Sequence, residues 1–247
     1  MNLSLNNICK NFGSIKVLNN INIDLDKQEC IGIIGPNGAG KSTLFNIITG
    51  NINHDSGNII FNGNNLNKIS NENRVRLGIV QSFQKNSLFP EMTVLESIMI
   101  SISHKLNSSF NFLKPLCRNE EIKLKALELI KSIGLYDYIE YKSESLSYGL
   151  QRQLELGIAI ACNPDLLLLD EPTAGMSPAE TESIINLIKI LSKNYSIVIV
   201  EHDMEVIYNL TDKIFVLDRG KIIFSGNPEE VKKSKLVQNK YLGIKNV

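Results

Sequence analysis

The stretch Gly35-Pro36-Asn37-Gly38-Ala39-Gly40-Lys41-Ser42-Thr43 constrains this chain more than any other, because it fits the phosphate-binding pattern G-x-x-x-x-G-K-[ST] in full. The apolar run Ile31-Gly32-Ile33-Ile34 stands before it, as a buried strand would. Leu44-Phe45-Asn46-Ile47-Ile48 follows, as the first turns of a helix would. A strand–loop–helix unit of this kind belongs to an α/β fold. Glycines at 35, 38 and 40 let the backbone curl so that successive N–H groups converge on phosphate oxygens. The helix N-terminus adds partial positive charge. Lys41 has the reach for the β- and γ-phosphates, and the Ser42 hydroxyl is placed to ligate Mg²⁺.

Charge excludes one class of partner. Lys plus Arg and Asp plus Glu both number 26 in 247 residues, so the formal net charge is zero. A nucleic-acid binder needs a basic excess or patch, and no nucleic-acid partner is expected here. Cys9, Cys30, Cys117 and Cys162 are scattered, with no C-x-x-C pair and no neighbouring His. They read as small hydrophobes of a reducing compartment rather than as a metal site or disulfide framework. No signal-peptide pattern follows Met1, and no run of 18 apolar residues occurs. The expectation is a cytoplasmic chain that does not itself span a membrane.

Along the chain, residues 3–8 and 21–25 alternate apolar with polar, the period of half-buried strands. Phe12 lies between them, before Gly13, and reads two ways: exposed for stacking on a base, or core in a β-layer. Residues 58–62 read as another strand ending in a turn at Gly63, and residues 78–84 as a short strand ending on Gln84. Thr93 and Glu96 form a capping box that opens a helix. Residues 107–119 read as a loop or insertion, and residues 120–133 carry apolar positions at helical spacing with a Glu121–Lys125 pair on the other side. The region from about 90 to 162 is therefore expected to be a helical subdomain inserted into a single α/β domain spanning 1–247.

Within that region Ser147 is the natural N-cap of a helix whose apolar stripe is Leu150, Leu154, Ile158 and Ala161. With Gly149 beside it, the helix start reads either as an anion site or as an ordinary capped helix. Asp165-Leu166-Leu167-Leu168-Leu169-Asp170-Glu171-Pro172 reads as a strand buried on both faces. Asp170 at its C-terminal end can hold Mg²⁺ through its waters, and Glu171 can accept a proton from an attacking water. Ser177-Pro178-Ala179-Glu180 opens the next helix with a capping box. Residues 196–200 form another buried strand, ending in Glu201-His202-Asp203 and placing His202 at the same sheet edge. Residues 213–218 and 221–224 make a hairpin around Arg219-Gly220, and Asn227-Pro228 starts a last short helix.

Phosphate loop, strand-end Gln, helical insertion, Leu-Ser-x-Gly, apolar-Asp-Glu and strand-end His, in that order, resemble the ATP-binding subunit of ABC transporters over nearly the whole chain. The resemblance implies a P-loop NTPase with a mainly parallel core sheet, an N-terminal antiparallel β-layer and the inserted helical subdomain. It implies ATP hydrolysis with ATP and Mg²⁺ bound. It implies that Phe12 stacks on adenine, that Gln84 touches Mg²⁺ and the attacking water, that Glu171 is the general base and that His202 senses the γ-phosphate. It also implies that Ser147 and Gly149 contact the γ-phosphate held by a second ATPase subunit, a copy or a paralogue, and that Ala174-Gly175-Met176-Ser177 communicates across that dimer. The signature departs from Leu-Ser-Gly-Gly-Gln in having Tyr148 and Leu150.

Leu146-Ser147-Tyr148-Gly149, Ala174-Gly175-Met176-Ser177-Pro178, Glu201-His202-Asp203-Met204 and a Tyr241-Leu242-Gly243 tail are similar to the branched-chain amino-acid importer ATPases. That similarity implies permease subunits in the membrane, a solute-binding protein outside it, and a place at the cytoplasmic face. Phe83-Gln84-Lys85 with Glu201-His202-Asp203-Met204-Glu205 also resembles the urea or short-amide importer ATPases, and the lipopolysaccharide exporter ATPases share the tail. A soluble ABC ATPase acting on nucleic acid or ribosomes would carry two such domains or a long coiled-coil insertion. A non-hydrolysing nucleotide-gated module would not need Asp170, Glu171 and His202.

Overall fold

The computed structural model describes residues 2–82, 88–105 and 119–238. In chain order the strands are β1 (Leu3–Phe12), β2 (Ile15–Leu25), β3 (Cys30–Ile34), β4 (Ser56–Phe61), β5 (Asn64–Asn65), β6 (Ile79–Ser82), β7 (Leu166–Asp170), β8 (Ser196–Val200), β9 (Lys213–Asp218) and β10 (Lys221–Gly226). The helices are α1 (Lys41–Thr49), α2 (Asn71–Arg76), α3 (Val94–Lys105), α4 (Glu120–Ser132), α5 (Tyr148–Ala161), α6 (Pro178–Ser192), α7 (Met204–Leu210) and α8 (Pro228–Lys233), with a last helical turn at Lys235–Val237.

The continuous apolar runs became the centre of a six-stranded sheet of order β10-β9-β3-β8-β7-β6. Its inner pairs are parallel and β10 alone runs antiparallel, against β9. Every residue of β3, β7 and β8 is buried, as a strand covered on both faces must be. Alternate residues serve different cores. Ile31, Ile33, Leu166, Leu168, Val198 and Val200 face α1 and the second sheet, whereas Ile34, Leu167, Leu169, Ile197, Ile199 and Val216 face the helices. The second sheet is antiparallel, of order β2-β1-β4-β5, and α1 lies between the two with Leu44, Phe45, Ile47 and Ile48 buried.

The first two strands are longer than the alternation of residues 3–8 and 21–25 predicts, because β-bulges interrupt the period without ending the pairing. Phe12 is consequently the last residue of β1, and it is 47% exposed rather than core. The capping box of α3 forms as expected: Thr93 N donates to Glu96 Oε2 at 2.9 Å and Glu96 N to Thr93 Oγ1 at 3.1 Å. The apolar stripe of α5 is displaced from its predicted line. Leu154 is buried, but Leu150, Ile158 and Ala161 are only half-buried. The fully buried side of α5 instead carries Arg152, Glu155, Leu156, Ala159 and Ile160. Gln84, Cys117, the predicted loop up to residue 118 and the Tyr241-Leu242-Gly243 tail lie outside the described residues.

Candidate functional site

The phosphate loop sits where the two sheets meet. Gly38 and Gly40 take positive φ, +79° and +110°, and Gly35 does not, so only two of the three glycines are needed for the curl. At Gly40 a Cβ would lie 2.7 Å from Leu18 Cδ2 and 3.1 Å from the Val17 carbonyl oxygen, so β2 closes over the loop and only glycine fits. Ala39 N donates to the Pro36 carbonyl at 3.1 Å, and Gly220 N, in the β9–β10 turn, donates to the Ala39 carbonyl at 3.0 Å. The loop is thus braced from two directions. Gly40 is the N-cap of α1 and no side chain caps that helix, which leaves its N–H groups for a ligand.

Lys41 is buried and its Nζ donates to the carbonyls of Gly35 at 2.6 Å and Pro36 at 3.2 Å. Burial lowers the pKa of its ammonium, against the opposing pull of the Glu171 and Asp170 carboxylates. The other end of α1 is held by a residue that hydrophobic patterning passed over. Arg74 is 2% exposed, and its guanidinium donates to the carbonyls of Ile47 (2.6 Å) and Ile48 (2.9 Å) in the last turn of α1, and to those of Leu66 (2.7 Å) and Ile69 (3.0 Å).

Across the sheet edge, Asp170 ends β7. Burial first, and the neighbouring Glu171 charge second, raise the pKa of its carboxyl, with Lys41 and Arg152 acting the other way. Glu171 takes φ +48°, a left-handed conformation that costs a non-glycine residue on the order of 1–3 kcal/mol. The surroundings hold it there. Glu171 N donates to the Val200 carbonyl at 2.8 Å. Arg152 donates from Nη2 to the carbonyls of Asp170 (3.1 Å) and Glu171 (3.3 Å), and from Nε to that of Pro172 (3.3 Å). Glu201 accepts from Thr173 N at 2.8 Å and Thr173 Oγ1 at 2.6 Å, and from His202 N at 3.1 Å. The outcome is a Glu171 carboxylate whose Oε1 lies 3.0 Å from His202 Nε2.

His202 and Glu171 are therefore brought together, as are Lys41, Asp170 and Glu171 through their charges. The two acids flanking His202 are not part of that group. Glu201 is buried as a brace for Thr173, and Asp203 caps α7 by accepting from Glu205 N at 2.8 Å. Phe12 stands exposed at the tip of the β1–β2 hairpin, with Lys10 Nζ 5.2 Å from its ring centroid.

Ser147 caps α5, its Oγ accepting from Leu150 N at 3.4 Å. Gly149 N donates to Glu180 Oε1 at 3.0 Å, while Glu180 Oε2 accepts from Ser177 N (3.0 Å) and Ser177 Oγ (2.7 Å). The capping carboxylate of α6 thus also sits on the N-terminus of α5. Neither this contact nor those of Arg152 could be foreseen from periodicity. The one available signal was the opposite-charge spacing Arg152–Glu155, which forms a buried pair with Nη1 and Oε2 2.6 Å apart.

A braced phosphate loop under a strand-end carboxylate pair and a histidine defines a nucleoside-triphosphate hydrolase of the cassette type. The family model described as ABC transporter matches residues 18–174, and the chain belongs to that family; it is an ATPase. The high-affinity branched-chain amino acid transport ATP-binding protein LivG of Escherichia coli K12 is 35% identical over 98% of this chain and 97% of its own. The lipopolysaccharide export system ATP-binding protein LptB of Haemophilus influenzae is 31% identical over 98% and 97%. The crystal structure of an ATP-binding cassette of an ABC transporter in its ADP conformation superposes with a TM-score of 0.87 at 31% identity, over 98% of each chain.

Proposed function

We propose that this ATPase powers the uptake of branched-chain or similar amino acids from the cytoplasmic face of a membrane. The observation that carries the chemistry is the Glu171 carboxylate, fixed 3.0 Å from His202 at the edge where the phosphate loop opens. In this reading the N–H groups of residues 38–43 and the Lys41 ammonium cradle the β- and γ-phosphates, and Phe12 stacks on the adenine. Glu171 accepts a proton from the water that attacks the γ-phosphorus in line, and His202 meets the γ-phosphate and steadies Glu171. Asp170 and the Ser42 hydroxyl are hard oxygen donors suited to Mg²⁺. The fit is favoured by the raised pKa of Asp170, since a cation beside it relieves the cost of its buried charge. The ion, when bound, neutralises charge on the phosphates.

Ser147 and Gly149 act on the nucleotide of a second ATPase subunit, so two half-sites close around two ATP molecules. The helices between β6 and β7, residues 90–162, work as a subdomain that moves with the permease. An apolar groove of about 420 Å³, lined by Val75, Val80, Phe89, Met92, Ile100 and Ile158, is where a permease helix docks. Peripheral attachment at that face is supported by the relatives being ATP-binding proteins of transport systems; no helix among the described residues is long and apolar enough to cross a membrane. Amino-acid import is preferred over lipid export because the 35%-identical relative is named for branched-chain amino acid transport.

Glu171→Gln decides the chemistry. ATP affinity is expected to stay within a few-fold while phosphate release falls by about 10²–10⁴-fold, the usual contribution of a positioned base. Near-normal turnover would remove Glu171 from that role. Purification of the chain with its permease and solute-binding protein, followed by transport of labelled leucine into vesicles, decides the solute.

A further inference from the structure

We infer that Arg152 is a positioning residue for hydrolysis, setting the direction of the Glu171 carboxylate and joined through Glu155 to the groove proposed for the permease. The inference rests on the reading of Glu171 as the base. Arg152 projects from the second turn-side of α5 into the core, 4% exposed. Its fork spans three consecutive carbonyls, those of Asp170, Glu171 and Pro172, and so grips the strand-end turn by its backbone. Glu171 inside that turn sits at φ +48°, which an unrestrained glutamate would leave. Since φ fixes where the side chain emerges, a grip on these carbonyls is a grip on the carboxylate 3.0 Å from His202.

A further contact ties this grip to another place. Arg152 Nη1 lies 2.6 Å from Glu155 Oε2, one turn further along α5, and Glu155 lines the groove beside Val80, Ser82 and Ile158. Glu155 is itself only 5% exposed, so a side chain settling in the groove reaches it across almost no water. A basic or hydrogen-bonding group arriving there competes for the carboxylate and loosens Arg152 from one side. The continuous run is groove, Glu155, Arg152, the 170–172 carbonyls, Glu171. It uses no atom of the nucleotide, so it acts on the rate of hydrolysis and leaves nucleotide affinity alone.

The experiment compares four forms of the chain in its assembled transporter. Glu171→Gln tests the base reading. Arg152→Met with Glu155→Leu removes the pair together, so that neither charge is left buried alone. Arg152→Lys keeps the charge but loses the fork. ATP affinity, kcat, KM and thermal melting are measured for each. The paired variant is expected to lower kcat about 10–100-fold with ATP affinity within 3-fold, the scale of a catalytic group displaced by about 1 Å. Arg152→Lys is expected to recover part of that loss. A paired variant with kcat within 2-fold of the unaltered chain overturns the inference, as does a parallel fall of kcat and affinity that tracks lowered melting. If the paired variant fails to fold, Arg152→Lys alone decides: unchanged kcat overturns, reduced kcat at unchanged affinity supports. Should Glu171→Gln hydrolyse normally, the base reading fails and this inference falls with it; an inactive Glu171→Gln beside an unimpaired paired variant overturns the inference alone.

Discussion

The N-termini of α1 and α5 both offer backbone N–H groups to an anion, and they are built in opposite ways. At α1 the cap is Gly40, no side chain bonds to the helix start, and Leu18, Val17 and Gly220 wall the loop in. At α5 the cap is Ser147, the start is exposed, and the Gly149 N–H is already in use by the Glu180 carboxylate. One terminus is shaped by its own fold to receive an anion from outside. The other carries an anion of its own, which a phosphate from a neighbouring subunit would have to replace. A rigid site and an exchangeable one suit the composite site, divided between two subunits, that is proposed above.

Substitutions at the two glycines separate these designs. Gly40→Ala puts a methyl 2.7 Å from Leu18 Cδ2 at φ +110°, where backbone on one side cannot yield. ATP affinity of the chain is expected to fall at least about 100-fold by nucleotide titration, since strain of this kind amounts to ~1–3 kcal/mol before the clash is counted. Retained affinity would mean that the walls around α1 are soft. Gly149→Ala meets the flexible Glu180 side chain at 2.7 Å instead. Nucleotide affinity of the single chain should stay unchanged, while turnover of the assembled transporter falls about 10–100-fold, the scale of a contact displaced by about 1 Å. Loss of affinity in the single chain would erase the contrast.

The smallest effect is a pH dependence. Hydrogen bonds from Ser177, with that from Gly149, hold the Glu180 carboxyl below its ordinary value. A lowered folded-state pKa stabilises above the unfolded value of 4.5 and is lost as pH falls through the depressed one. Thermal melts should therefore place the unaltered chain above Glu180→Gln at neutral pH, with the gap closing in acid. A gap that widens in acid would reverse the assignment of Glu180 as the internal anion of α5.

What could be read from the residues followed from local rules. The buried runs of β3, β7 and β8, the capping boxes at Thr93 and Ser177, and the phosphate loop all announce themselves within a few positions. α2 did not, because Asn71-Glu72-Asn73-Arg74 has no apolar stripe and packs through the buried guanidinium of Arg74. The buried face of α5 was misplaced for the same reason: its core-facing members include Arg152 and Glu155, charges that a hydrophobic pattern assigns to solvent. His202 was legible as a strand-end residue, but its partner was not. Glu171 and His202 meet only because β7 and β8 are neighbours in the sheet. Glu201 stands beside His202 in the sequence, and only the fold shows it turned inward to Thr173.

Arg74 has a consequence that appears when α1 is treated as a bar of aligned peptide dipoles about 13 Å long. Its negative end is permanently capped by a cation sunk in the protein, out of reach of dissolved salt. Its positive end faces the place where, in the proposed reading, phosphate arrives. The chain therefore holds one half of a charge pair in its core and leaves the other half to be supplied by each incoming nucleotide, so that the grip on phosphate is set partly by a residue at the far end of the helix.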